Sequence, residues 1–287
     1  MKRPEVVTRL TTVLAKCNFK KGKYQLQLVS RGRGSCVYSS LLKRICLRQK
    51  KYTCSSVSPR SHNKARRTAT MMRLVLQNLQ SNPGKPLVLN GIHYEHPGVF
   101  GKDEESSNRT IATALSDICG AIGCSRSSLN VLVASKGLII GPIILHISRK
   151  VMVNCSSLGK LGAMVPVKAE FVQKIEPIGK VKFILIVEKK AVFLRLSNSK
   201  FHKKYSCVLI TGSGQPDIAT RALLLKLRDD LPVPVYAFMD PNPHGFGIFC
   251  TYRFGSERLA YDSVALAVSD IIWIGMFLSD FSDASIY

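Results

Sequence analysis

Residues 236–245 read YAFMDPNPHG, and the change of character within them indicates where a strand ends. An apolar run stops at Asp240, and two prolines and Gly245 follow at once. Because prolines restrict the backbone, this stretch predicts a buried strand followed by a rigid loop that begins with a carboxylate. A loop held in one shape would lose little entropy if that carboxylate bound a ligand.

The same succession of an apolar strand and a helix recurs along the second half of the chain. Strands are predicted over residues 182–189 (KFILIVEK), 207–214 (CVLITGSG), 233–240 (VPVYAFMD) and 270–275 (DIIWIG), with helical segments between them. Continuous apolar strands that alternate with helices are typical of a parallel sheet covered on both faces. This half is therefore predicted to be α/β, with ligands bound beyond the carboxyl ends of the strands.

Two carboxylates occupy equivalent positions at the ends of predicted strands. Glu188 follows one apolar run, and Asp240 ends another. If these strands are neighbours, the carboxylates lie at one edge, where they need a shared cation or one of them must hold a proton. Mg²⁺ binds one or two carboxylates and completes its shell with water and phosphate oxygens. The sequence thus predicts a Mg²⁺ site, with a solvated strand end as the alternative for Glu188.

The chain is strongly basic, and most of the excess charge lies at its start. Its 42 Lys and Arg against 18 Asp and Glu give a formal net charge of +24. Residues 1–67 hold 18 of these bases and a single acid, Glu5. A polyphosphate is the expected partner, because neutralised phosphates release counterions, and an anionic membrane is the competing one. Since residues 1–67 show little periodicity, they are predicted to form a basic, disordered extension.

Residues 68–166 carry the pattern of a small DNA-binding domain. A helical segment from Thr70, a second to about Cys124, a short third over residues 126–134 and a strand follow one another. Helix, tight turn, helix and strand is the order of a winged helix. Its second helix, here the segment over residues 126–134, would enter the major groove. The candidates for DNA contact at the exposed start of that helix are Arg126, Ser127, Ser128 and Asn130.

Several other classes of protein find little support in the sequence. The nine cysteines are odd in number and include no CxxC pair, which argues against a zinc module and a disulfide framework. No uninterrupted apolar run reaches about 18 residues, so we expect no membrane-spanning helix. The start, MKRPEVVTRL, lacks the apolar core of a signal peptide. A small-molecule phosphotransferase is a weak alternative, because the chain has neither a Walker motif nor a GxGxxG.

Six segments together resemble the family of the topoisomerase VI A-type subunits, and most closely its eukaryotic meiotic double-strand-break proteins. FILIVEKKAVFLRL, VLITGSGQPDIATR, MDPNPHGFGIFCTYRFGS and IIWIGMFLSD resemble its Toprim domain in order. Upstream, IHYEHPGVF and CSRSSLNVLVASKGLIIG resemble its winged-helix domain. The resemblance covers about residues 70–280, and it implies a winged helix followed by a Rossmann-like Toprim domain with a mainly parallel sheet.

The resemblance implies a DNA-cleaving activity, in which a tyrosine attacks a backbone phosphate and becomes joined to the 5′ end of the broken strand. Tyr94, within GIHY, occupies the position of that tyrosine. Glu188 and Asp240 would hold Mg²⁺, with Asn242 as a weakened third ligand. A tyrosine hydroxyl is a poor nucleophile at neutral pH, and Mg²⁺ on a non-bridging oxygen would stabilise the charge of the transition state.

The resemblance also implies partners and a location. The family forms dimers in which the tyrosine of one protomer meets the metal site of the other, so a homodimer on double-stranded DNA is expected. An ATP-hydrolysing B-type subunit would complete a type IIB topoisomerase-like complex that starts meiotic recombination in the nucleus. Four further residues are candidates for contacts to DNA: Lys136, Lys189, Arg253 and His244, the last with a loop-structuring role as the alternative.

At four points the sequence departs from the family pattern. Asn242 stands where the Asp-x-Asp metal motif has its second acid, Asn90 where an arginine precedes the tyrosine, and Ser213 where a lysine lies between glycines. The chain also ends at Tyr287, short of the usual C-terminal segment. A DNA-binding homologue with weak or no cleavage activity, or an incomplete gene product, is therefore the alternative to an active enzyme.

The predicted organisation has three parts. Residues 1–67 form the basic extension, residues 68–166 an α+β winged-helix domain that carries Tyr94, and residues 167–287 a C-terminally truncated α/β Toprim domain.

Overall fold

The computed structural model of the chain describes residues 2–17, 23–82, 84–132, 135–148 and 150–275. They fold as two compact units. The first takes its described residues from 1–39, 45–133 and 257–264, and the second from 40–44, 134–256 and 265–287. The division near residue 133 differs from the predicted border at residue 166, because strands that were assigned to the winged helix pack in the second unit.

The first unit is mainly helical. Its elements are α1 (Arg3–Lys16), β1 (Gln25–Val29), β2 (Cys36–Ser39), β3 (Arg44–Leu47), β4 (Lys51–Ser55), α2 (His62–Ser81), β5 (Leu87–Val88), α3 (Leu89–Glu95), α4 (Glu104–Ile122) and β6 (Val131–Leu132). Apolar faces of α1, α2 and α4 form one core with β1 and β4. Asp103 starts α4 with a capping box to Ser106, which satisfies otherwise unpaired amides at the helix start.

The prediction that residues 1–67 are a disordered extension is wrong for the described residues. Val6 and Leu10, one helical turn apart on α1, are fully buried in the core of the first unit. Leu26 and Leu28 alternate on β1, which pairs antiparallel with β4, and they face the same core. The charged residues of this segment cover the outside of a folded layer, and the apolar ones hold it in place.

The predicted helix over residues 126–134 is also wrong. A single 3₁₀ turn spans Ser127–Leu129, and Asn130 then adopts a left-handed backbone with φ of 52°. A left-handed residue ends a right-handed helix. The chain continues into β6, which pairs with β5, so the second helix of the predicted winged helix is absent from the described residues.

The second unit is built on a six-stranded sheet. Its elements are β7 (Leu138–Ile140), β8 (Ile143–Ser148), β9 (Val151–Asn154), β10 (Ala163–Met164), β11 (Lys174–Pro177), β12 (Phe183–Val187), α5 (Lys190–Asn198), α6 (Phe201–Lys204), β13 (Cys207–Thr211), α7 (Ile218–Asp230), β14 (Val235–Phe238), α8 (Pro243–Arg253) and β15 (Ile272–Ile274). The strand order is β10-β7-β13-β12-β14-β15, and β11, β8 and β9 form a separate sheet.

The predicted α/β class with a mainly parallel sheet is confirmed. The strands β13, β12, β14 and β15 run parallel, and β7 joins them antiparallel to β13. Residues of β12 and β13 are buried along almost their whole length, as expected for strands covered on both faces. In the order of the sheet, β12 lies directly between β13 and β14.

Two global features bear on the chemistry of the chain. The nine cysteines all lie in the described residues, where none of them forms a disulfide bond, and six of them are buried. None of the described helices is both long enough and apolar enough to cross a bilayer.

Candidate metal-binding edge of the sheet

The carboxyl ends of β12 and β14 bring two acidic residues to one edge of the sheet. Glu188 follows β12 and is largely buried, while Asp240 follows β14 and is about one third exposed along its side chain. The backbone amide of Asp240 donates to Oε2 of Glu188 at 2.8 Å. The carbonyl oxygen of Glu188 accepts from the amide of Gly214 at 2.9 Å, so the loop after β13 is attached to the same point. Three strand ends thus meet around Glu188.

Gly245 makes the close approach of the loop possible. A side chain at this position would overlap the carbonyl oxygen of Asp240 and would place its Cβ 3.0 Å from Oε2 of Glu188. Only a glycine leaves room there for the backbone of α8 to lie against both residues. The sequence contained this glycine in the rigid loop, but nothing in the pattern showed that the two acids fill the space beside it.

Asn242 starts α8. Its side-chain oxygen accepts from the amide of Gly245 at 2.9 Å, the geometry of a helix N-cap. The side chain that was predicted to be a weakened third metal ligand therefore has its oxygen engaged by the helix that follows it. Within the described part of the chain, no three His, Cys, Asp or Glu residues form a group that could hold a metal ion.

Lys189 supplies a positive charge beside the two acids. Its ammonium lies 2.5 Å from Oδ2 of Asp240. The hydrogen bond and the charge of Asp240, with a smaller contribution from Glu188, raise the pKa of Lys189. The lysine that was predicted to contact DNA is thus an internal counterion of Asp240 in this structure.

A second lysine is held near the glycine loop. The ammonium of Lys136 donates to the carbonyl oxygen of Ser213 at 3.3 Å, and Ser213 donates back to the carbonyl oxygen of Lys136 at 3.2 Å. Asp217 caps α7 through the amide of Thr220 and also accepts from the amide of Lys136 at 2.8 Å. The second bond of Asp217 joins two loops far apart in sequence, and no local sequence pattern indicates it.

His244 and Arg253 lie at opposite ends of α8. His244 is exposed in the first turn of the helix. Arg253 donates through Nε to the carbonyl oxygen of Ser269 at 3.1 Å, and its guanidinium packs over Phe249 and Phe254. Arg253 therefore anchors the C-terminal end of the helix, while His244 is open to solvent.

In the first unit, Tyr94 is 70% exposed near the end of α3. Its hydroxyl lies 3.4 Å from Oε2 of Glu104, a long and weak hydrogen bond. The neighbouring ring of His93 stands edge-on to Tyr94, and its Nδ1 lies 2.7 Å from the hydroxyl of Ser107. The fixed ring of His93 holds one side of Tyr94 and leaves the hydroxyl accessible.

Three of the four residues predicted to contact DNA at the helix start have other surroundings in the structure. Arg126 is buried, and its backbone amide donates to Asp262 at 3.1 Å, which contradicts the expected exposed position. Ser128 shares a 2.8 Å hydrogen bond with Ser125, and Asn130 donates to the carbonyl oxygen of Lys85 at 3.2 Å. These contacts stabilise the 3₁₀ turn and the strand after it. The predicted helix, which would have presented the three side chains to DNA, does not form.

Comparison with known proteins identifies the class of the second unit. The family model for the Toprim domain shared by Spo11 and the A-type subunit of topoisomerase 6 matches residues 183–287, which begin with β12 and include both acids. The part of the chain from residue 183 onward is therefore a Toprim domain of the topoisomerase type.

Curated relatives extend the likeness to the first unit. The chain is 40% identical over 222 residues to meiotic recombination protein SPO11-1 of Oryza sativa subsp. indica, which covers 76% of this chain and 56% of the relative. It is 33% identical over 259 residues to the A-type subunit of DNA topoisomerase 6 from Arabidopsis thaliana, covering 90% and 58%. It is 35% identical over 227 residues to meiotic recombination protein SPO11 of Homo sapiens, covering 78% and 54%.

The chain belongs to the family that comprises Spo11 and the A-type subunits of topoisomerase 6. It spans little more than half the length of these relatives, 54% to 58%.

Proposed function

We propose that this protein cleaves double-stranded DNA by transesterification, with Tyr94 as the nucleophile. The observation that carries the proposal is the shared position of Glu188 and Asp240 at one edge of the Toprim sheet. Relatives over most of the chain are named meiotic recombination proteins and a topoisomerase subunit, which supports DNA as the substrate. The formal net charge of +24 suits a polyphosphate partner.

In the proposed reaction, the hydroxyl oxygen of Tyr94 bonds to a backbone phosphorus as the bond to the leaving 3′ oxygen breaks. The tyrosine loses its proton and the 3′ oxygen gains one, so the strand ends in a 5′-phosphotyrosyl link and a free 3′ hydroxyl. The exposure of Tyr94 allows an extended substrate to reach it. Glu104, whose Oε2 lies 3.4 Å from the hydroxyl, is a candidate for receiving the proton.

Glu188 and Asp240 fit a divalent ion, whereas Asn242 fits it less well. Two carboxylates from neighbouring strand ends are the ligands that Mg²⁺ takes in proteins, but the Asn242 oxygen is used as a helix cap. When bound, Mg²⁺ would neutralise charge on the attacked phosphate. Lys189 would have to release Asp240 for the ion to bind, and its ammonium would then be free for a DNA phosphate.

The similarity to the family of Spo11 and the A-type subunits of topoisomerase 6 also suggests how the protein assembles. A homodimer would present two tyrosines and two metal sites to the two strands, and an ATP-hydrolysing B-type subunit would be a further partner. Initiation of meiotic recombination in the nucleus is the corresponding cellular role. Lys136, Lys189 and His244, which lie in the loops and helix start around the edge, are the proposed contacts to DNA backbone.

A DNA-binding homologue with weak or no cleavage is the second candidate function. The capping role of Asn242 favours it, because the site then offers two charged ligands to a metal ion. Ser213, which stands where the family pattern has a lysine, is bonded to the backbone of Lys136. Restoring an acid by Asn242→Asp keeps a helix-capping oxygen and adds a charge, so it tests this candidate with little effect on the fold.

The deciding experiment incubates the protein with supercoiled DNA, Mg²⁺ and a B-type subunit, and then detects protein attached to 5′ ends. The proposal expects an adduct that disappears in Tyr94→Phe and persists in Tyr38→Phe, an exposed tyrosine of the same unit. An adduct that persists in Tyr94→Phe rejects Tyr94. The absence of an adduct from the native protein, together with its appearance in Asn242→Asp, supports the second candidate.

A further inference from the structure

A small cavity lies at the opposite edge of the second unit from the two acids. Its volume is about 180 Å³, and it is bounded by Pro142, Ser156, Lys180, His202, Lys203 and Ser206. Ser206 immediately precedes β13, and its carbonyl oxygen accepts from the amide of Lys182 just before β12. The cavity therefore lies where these strands begin, about 16 Å of strand away from Glu188, which follows their ends.

His202 is the buried polar group of this cavity. It is 4% exposed, and its Nδ1 is buried without a hydrogen-bond partner among the described residues. A buried polar atom without a partner is costly, and such atoms usually meet water or a ligand. Burial and then the charge of Lys203 lower the pKa of His202, so the ring is held neutral beside a cation.

The charges around the cavity have one sign. Lys180 enters from the loop after β11 and Lys203 from α6, and no acidic side chain lines the cavity. Two ammonium groups, two serine hydroxyls and an imidazole are all able to donate hydrogen bonds. A cation would be repelled there, and an apolar ligand would leave the donors unpaired.

We infer that this cavity binds a phosphate group between Lys180, Lys203 and His202. A tetrahedral oxyanion accepts several donors at once, and its charge offsets the two ammonium groups. The site does not depend on Tyr94 or on the two acids, so it stands apart from the proposed cleavage reaction. A phosphate beside His202 favours its protonated ring.

The test titrates the 287-residue chain with inorganic phosphate at constant ionic strength while NMR follows the ring signals of its six histidines. The His202 signal, assigned by its loss in His202→Gln, should shift saturably, and bound phosphate should raise its pKa. Lys180→Gln combined with Lys203→Gln should weaken binding at least tenfold. A His202 signal that does not respond to phosphate overturns the inference.

The matched control replaces Lys182 and Lys204 with Gln, two lysines of the same region that do not line the cavity. This variant carries the same change in net charge and should bind phosphate within twofold of the native protein. Equal weakening in both double variants would mean general electrostatic attraction, and the inference would then be wrong.

Two further arms distinguish the source of the phosphate. A short single-stranded oligonucleotide is added with and without a 5′ phosphate, and the same His202 signal is followed. A response to both forms identifies backbone phosphates of nucleic acid as ligands. A response only to the 5′-phosphorylated form identifies a terminal or free phosphate, and either result supports a phosphate site.

Discussion

The backbone amide of Asp240 and the carboxylate of Glu188 are joined by a 2.8 Å hydrogen bond, so one acid of the candidate site positions the other. The bond ties the end of β14 to the end of β12. Because Glu188 is largely buried, the amide of Asp240 takes the place of part of the water that an exposed carboxylate would bind. The acids therefore form a preorganised pair, whose geometry depends on how closely the loop of residues 240–245 can approach.

Gly245→Ala should disturb this pair. The added Cβ would overlap the carbonyl oxygen of Asp240 and crowd Glu188, and overpacking against backbone costs about 1–3 kcal/mol of unfolding free energy. The only tryptophan, Trp273, packs on Phe249 of the same helix, so its fluorescence during urea unfolding reports the loss.

Gly247→Ala is the control for that substitution. Gly247 lies in the same helix with nothing near its missing side chain, so alanine should raise stability by roughly 0.5–1 kcal/mol. If both variants change stability alike, the close approach at Gly245 is not what holds the loop.

Lys189→Gln should strengthen Mg²⁺ binding. Lys189 is paired with Asp240, and a divalent ion must compete with its ammonium for the same carboxylate. Loss of an exposed pair of this kind should tighten binding roughly two- to fivefold, as calorimetry at fixed ionic strength would measure. Lys190→Gln removes the same charge from the next, exposed position. Equal tightening in the two variants would show that the direct pair does not matter.

The sheet and its acidic edge could be predicted from the sequence, because the burial of each strand is visible in its own residues. Continuous apolar runs are typical of buried parallel strands. Glu188 directly follows one of these runs, and Asp240 ends another. The acids come together because β12 and β14 are neighbours in the sheet. This strand order could not be predicted from any local sequence pattern. The capping bond of Asn242 and the second bond of Asp217 depend on the folded loops as well.

The first unit was harder to predict because its charge concealed its periodicity. Val6 with Leu10, and Leu26 with Leu28, follow helical and strand spacing within a segment whose overall composition is basic and polar. The failure at residues 126–134 has a local cause, since Asn130 adopts a left-handed conformation that few residues other than glycine tolerate.

Asp117→Asn should loosen the first unit and so test whether its basic start is a folded layer. Asp117 on α4 is buried and accepts two bonds from Arg31, at 2.7 and 3.0 Å, with Lys64 at 3.3 Å. Removal of one member of a buried ion pair costs about 3 kcal/mol. Hydrogen exchange in peptides from α2 and α4 should rise accordingly.

Glu105→Gln on the same helix provides the comparison. Its pair with Arg109 is exposed and four residues apart, so its loss should change exchange by less than about 0.5 kcal/mol. Unchanged exchange in Asp117→Asn would mean that residues 23–55 contribute little to the stability of this unit.

The buried thiols should react very slowly with alkylating agents while the protein is folded. Burial raises the pKa of Cys155 and of Cys207 to about 12, and only thiolates react readily. Iodoacetamide at pH 8 should therefore label the half-buried Cys36, Cys46 and Cys250 first, as peptide mass spectrometry would show. The unfolded chain ionises its thiols near pH 9 while the folded chain keeps these two protonated, so stability should fall as the pH rises from about 9 to 12. Labelling of Cys207 at the rate of Cys250, or stability that does not change over that range, would contradict the buried position of β13.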